Sequence, residues 1–161
     1  MRYPVLILIW VVSVTQAFAA QTVVSTISKD ESSPPKHTLN YHEKDCEEEC
    51  QIANLTCDAD RSLEMTLADI EAKWVSKAIL ATDHEIKIVT ASKSYPFLIR
   101  RIDYAGEMTD AWWVSGEAHG DNTDLLKELL KAKSFTVKFQ GQKTILPITK
   151  EFKEWTAACL N

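Results

Sequence analysis

The sequence predicts an α+β domain built mainly on an antiparallel sheet and stapled by disulfides. Three observations carry this. Apolar and polar residues alternate in several short runs, most clearly in SFTVKFQ at residues 134–140. Helical spacing falls between groups of strands and not after every strand, which fits hairpin order better than a doubly wound parallel sheet. Four cysteines form an even set in a chain with an export leader, and that pattern reads first as two disulfides.

The leader occupies residues 1–19. Arg2 precedes an apolar run from Val5 to Val14, and Ala17-Phe18-Ala19 matches the small-residue cleavage rule. The run is too short for a membrane span, which needs about 20 apolar residues. The expected location is periplasmic or secreted. Removing Arg2 with the leader moves the net charge from −5 to −6. That balance disfavours nucleic acid and anionic membrane as partners, because both need a basic face. Residues 20–42 read as a flexible tether. They contain Ser32-Ser33-Pro34-Pro35 and few large apolar groups, too little to offset the entropy of ordering. Residues 43–161 are long enough for one domain with one core.

Within the domain, residues 53–68 offer two extended runs around a turn at Asp58-Ala59-Asp60. Ile70, Trp74, Ala78 and Ile79 predict a short helix within 69–80. Extended runs follow at 84–90, 94–104 and 110–118, and the alternation of the second slips at Arg100-Arg101. In the third, Trp112 and Val114 share one face and Trp113 the other. Asp121 or Asn122 caps a helix whose leucines, 125, 126, 129 and 130, form one stripe. A hairpin follows, turning at Gly141-Gln142. Pro147 makes its second strand an edge, or ends it. Thr149 caps a short C-terminal helix with Phe152, Trp155, Thr156 and Cys159 on one face.

Residues 124–160, DLLKELLKAKSFTVKFQGQKTILPITKEFKEWTAACL, give the chain a familiar ending. A leucine-rich helix runs through Lys131-Ala132-Lys133 to a hairpin opening Phe135-Thr136-Val137. A short helix from Phe152 to Ala158 then closes it. This arrangement resembles invasion-associated locus B-like proteins and related small exported bacterial proteins, although Glu151 stands where those have glycine. The resemblance implies a periplasmic or secreted β-rich domain and carries over no catalytic or ligand residue.

The cysteines allow three readings. As staples, Cys57–Cys159 ties the two ends of the domain together and Cys46–Cys50 pairs locally. As a metal site, His42, Cys46 and Cys50 fall at i, i+4 and i+8, one stripe if the segment is helical, with two thiolates and an imidazole for copper or zinc. As a redox site, Cys46 and Cys50 exchange disulfides. The acidic neighbours Glu47, Glu48 and Glu49 oppose that by raising thiol pKa values. The staple reading is preferred and needs no cofactor.

Residues 43–71 contain ten acids and two cations. They offer a surface for a basic protein partner, or simply a solvated face. Trp113 is the other candidate contact residue, expected near Tyr95 and Tyr104 of neighbouring strands. No hydrolase, P-loop or dinucleotide motif is present. The expectation is a non-enzymatic domain that binds another protein or associates with the envelope. The alternative is a metal-binding or delivery protein using His42, Cys46 and Cys50.

Overall fold

The computed structural model describes residues 23–30, 36–44, 50–80, 84–106 and 111–161. The first four strands, β1 (Val23–Asp30), β2 (Lys36–Glu43), β3 (Gln51–Cys57) and β4 (Leu63–Glu71), form an antiparallel meander. Helix α1 (Ala72–Leu80) then carries the chain across to β5 (Glu85–Val89). The long β6 (Ser94–Gly106) pairs first with β5 and then with β7 (Ala111–Ala118), and β7 pairs back onto β4. Helix α2 (Thr123–Leu129) leads to the hairpin of β8 (Ser134–Phe139) and β9 (Gln142–Pro147), and α3 (Lys150–Leu160) ends the chain. The strand order is β1-β2-β3-β4-β7-β6-β5-β8-β9.

Alternation dictates which residues face inward. In β2 and β3, Leu39, Tyr41, Ala53, Leu55 and Cys57 are buried, and the residues between them face outward. Gly116 sits on the inner face of β7, where a Cβ would lie 3.0 Å from the Phe97 carbonyl oxygen. Its missing side chain lets β7 lie close against the Phe97 backbone of β6.

The sheet curls until it is nearly closed, and α3 bridges its two edges. Thr149 caps α3 by accepting from the Phe152 N–H at 3.1 Å. Its hydroxyl also meets Ser25 Oγ of β1 at 2.6 Å. Tyr41 OH of β2 donates to the Pro147 carbonyl at the end of β9, at 2.9 Å. Burial pushes the Tyr41 phenol pKa up, which keeps that proton in place. Phe152 and Trp155 of α3 are wholly buried, and Trp155 Nε1 donates to the His37 carbonyl at 2.9 Å. Full burial of one such ring stabilises by about 1.5–3 kcal/mol. Arg61 Nη2 donates to the Leu160 carbonyl at 3.3 Å, placing a cation at the C-terminal end of the helix.

This architecture corrects several expectations. The fold is not α+β. Strands hold 57 % of the described residues, in one barrel-like sheet that the three helices only cap and bridge. Single-strand patterns reveal hairpins but not how far a sheet curls. The stretch read as a tether, 20–42, holds β1 and β2. Leu39 and Tyr41 find their burial there against α3, more than a hundred residues away. The domain is not stapled between Cys57 and Cys159, which are free buried thiols. Packing of α3 does that work. Cys46 lies outside the described residues, and with it the Cys46–Cys50 staple.

Smaller differences have local causes. The hairpin turns at Gln140-Gly141, both at positive φ, one residue earlier than expected. Asn122 stands at the start of α2, but its side chain donates to the carbonyls of Arg61, Ala118 and Gly120 instead of capping. The slip at Arg100 is a β-bulge between Ile99 and Arg101.

Candidate functional site

The outer face around β7 carries the most distinctive surface. Register settles its layout, because directly paired residues share a face. Trp113 pairs with Asp103, and Ser115 pairs with Arg101 on one side and Thr66 on the other. All of these project outward, opposite Val114, which is wholly buried. Trp113 remains 40 % exposed. Beside it, Arg101 Nε reaches Asp103 Oδ2 at 2.6 Å. On its β4 side the ladder shifts between Leu67 and Ile70, with Asp69 at φ 56°. That bulge strengthens the local twist and leaves the indole uncovered.

Two residues along β7, Ser115 and Thr66 are buried, and their hydroxyls bond to each other at 2.8 Å. Farther across the sheet, the same row continues through Asn54 of β3 and Asn40 of β2 to Thr26 of β1. A parallel row holds Ser28, Thr38, Thr56 and Glu64. Thr38 and Thr56 bond at 3.0 Å, and Asn40 Nδ2 donates to Ser28 Oγ at 3.4 Å. Sequence reasoning missed these rows because half of them lie in the presumed tether. The signal was present as the alternations Thr38-Leu39-Asn40-Tyr41 and Ala53-Asn54-Leu55-Thr56.

The neighbours expected for Trp113 lie elsewhere. Tyr104 pairs with Trp112, its ring 5.1 Å from that indole, on the opposite face from Trp113. Trp112 is half-buried against the core. Tyr95 OH donates to Glu128 of α2 at 2.5 Å. Glu128 also accepts from Ser92 Oγ at 2.5 Å and from Thr90 Oγ1. These donors hold its carboxyl down at about 2, and the same bond pushes the Tyr95 phenol up to about 12. The cluster fixes the β5–β6 turn to α2.

The acids of residues 43–71 divide. Glu47, Glu48 and Glu49 lie outside the described residues. Asp58, Asp60 and Glu64 line a shallow polar cleft with Lys36, Glu117 and His119. Its charges are largely paired. Lys36 Nζ lies 3.1 Å from Asp58 Oδ1, and Arg100 Nε lies 3.3 Å from Glu117 Oε2. Hydrogen bonds from Ser62 hold the Asp60 carboxyl below the usual range.

His42 belongs to β2, where the period is two, and β2 and β3 join as a hairpin. The Glu43 N–H donates to the Cys50 carbonyl at 3.2 Å. The helical stripe proposed for His42, Cys46 and Cys50 therefore does not include His42. Among the described residues no three His, Cys, Asp or Glu side chains converge as metal ligands. Cys57 and Cys159 do come together. The Cys159 thiol bonds to Cys57 sulfur, which lowers the Cys57 pKa. The same bond, with burial, raises that of Cys159. Among the described residues no helix is long and apolar enough to cross a membrane. No family model, curated protein or solved structure matches this chain.

Proposed function

We propose that the chain is an exported, non-enzymatic binding domain that works at the cell envelope or outside the cell. The observation that carries the reading is Trp113. A large aromatic ring stands open on a sheet face, beside an Arg101–Asp103 ion pair. Exposed aromatics on rigid elements are the usual anchors of binding surfaces. The leader read in residues 1–19 and the resemblance of residues 124–160 to small exported bacterial proteins support the location.

Co-sedimentation with washed cell envelopes tests the reading. The wild-type chain should pellet with them. Trp113→Ala should weaken retention roughly tenfold, the loss expected for an anchoring aromatic, with an unchanged circular dichroism spectrum. Equal retention of both proteins, or no retention of either, would sink the proposal.

A further inference from the structure

The two outward rows beside Trp113 are unusual in composition. From β1 to β3 they carry hydroxyls and amides but no ionic side chain, in a chain that is 25 % charged. Threonine suits a strand, but asparagine is depleted there. Yet Asn40 and Asn54 stand directly opposite each other in the middle of the meander. Asn40 reaches Ser28, while the Asn54 amide bonds to no side chain among the described residues. An unengaged amide offers two donors and an acceptor to a ligand. Neighbouring strands repeat every 4.7–4.9 Å or so, close to the length of one pyranose unit. The row Thr26-Asn40-Asn54 therefore presents one polar side chain per sugar of an extended chain. It leads over the buried, mutually bonded Thr66–Ser115 pair and, two residues along β7, to Trp113.

We infer that this face binds a neutral, hydroxyl-rich glycan, running across β1–β4 and ending on the Trp113 ring. The inference rests on the binding-domain reading and names its ligand class. Each part has a stated task. The indole stacks against the apolar face of a sugar ring. Arg101 and Asp103 beside it supply a charged donor and acceptor for the hydroxyls of that ring. Asn54 and its row hydrogen-bond the following units. The absence of ionic groups from the rows of β1–β3 matches an uncharged chain, whereas a polyanion would require cations there.

The test titrates the full chain with cellohexaose, chitohexaose and maltohexaose, with polygalacturonate as the anionic comparator. Indole fluorescence and calorimetry report binding. At least one neutral hexasaccharide should bind, and polygalacturonate should not. Trp113→Ala should raise the Kd roughly tenfold. Asn54→Asp, which places a charge in the row at nearly constant shape, should also raise it severalfold. Its unchanged melting temperature would confirm that the fold survives. Binding to none of the three neutral probes, or binding that both variants leave intact, overturns the inference.

The envelope assay separates this failure from failure of the parent reading. Suppose that Trp113→Ala loses retention, while Asn54→Asp and competing hexasaccharide have no effect. If protease treatment of the envelopes then abolishes retention, the ligand is a protein and only the glycan inference falls. If Trp113→Ala loses nothing, both fall.

Discussion

The outer surface of the sheet has two halves of opposite character. On β1–β4 two outward rows carry hydroxyls and amides, interrupted by Glu64 and flanked by Lys36, which pairs with Asp58. On β5, β8 and β9, Lys87, Lys138 and Lys143 stand side by side, each paired directly with the next. Lys87 also meets Glu85 at 3.2 Å. Like charges directly opposite each other weaken a sheet, and charged residues on an edge strand such as β9 discourage stray pairing. The lysine half thus follows the ordinary logic of keeping a sheet soluble. The two polar rows of β1–β3 do not, because they place asparagines where strands disfavour them. The difference teaches that one sheet can carry a charged edge of ordinary kind and, several strands away, rows of uncharged polar groups that solubility alone does not require.

Helix α3 holds β1 and β2 against β8 on the side away from β6 and β7, and breaking that contact should have the largest effect. Trp155→Ala removes a wholly buried indole and its bond to the His37 carbonyl, and should cost about 3–5 kcal/mol. Hydrogen exchange in this variant should quicken in β1 and β2 before β8 and β9. The first two strands have α3 as their main support outside the meander. Uniform quickening across all the described strands would show that the sheet holds itself closed without the helix.

A smaller effect is expected at the border of the neutral half. Thr66→Val alone leaves the buried Ser115 hydroxyl without its partner and should cost about 1–3 kcal/mol in urea unfolding. Combining it with Ser115→Ala should recover most of the loss. If the double variant is no better than the single one, the pair is a packing element and not a hydrogen-bonded unit.

The lysine row allows a gentler test. Lys138→Glu sets an acid between Lys87 and Lys143 and should stabilise by about 0.2–1 kcal/mol, shrinking as salt is added. Asn54→Lys on the other half should give no such salt-dependent gain. Glycan binding should survive the first change and suffer from the second. A salt-independent response to Lys138→Glu would remove electrostatics from the account of that half.

The mildest prediction concerns pH and the Glu128 cluster beside the lysine half. Its carboxyl is held at about 2, below its usual range, so the bound form is the anion. The contribution is therefore full above about pH 4.5 and is lost as pH falls towards 2. Tyr95, pushed up to about 12, works in reverse, contributing below its ordinary range and losing that as pH rises through about 12. Glu128→Gln should flatten the acid limb of a thermal melting series. An unchanged limb would assign acid sensitivity to other carboxylates.

Much of this was legible in the residues themselves. Strand and helix follow from local rules: the period of two in SFTVKF, the Thr149 cap, and the face shared by Phe152, Trp155 and Cys159. These depend on neighbours within a few positions, and the sequence displays all of them. The opposite facing of Trp112 and Trp113 is of the same kind, since it requires only that they lie on a strand. What the tertiary structure alone decided involves distant partners. Residues 23–30 and 36–43 are strands because Tyr41 and Ser25 find Pro147 and Thr149 at the far end of the chain. Their own composition predicts a tether, because the surface they bury is supplied by α3. Closure of the sheet decided the fold class, and a hydrogen bond in place of a disulfide decided the state of Cys57 and Cys159. The neutral face likewise exists only through register, which brings one or two residues from each of five strands into line. Local periodicity fixes which way a side chain points; only long-range pairing fixes what stands beside it.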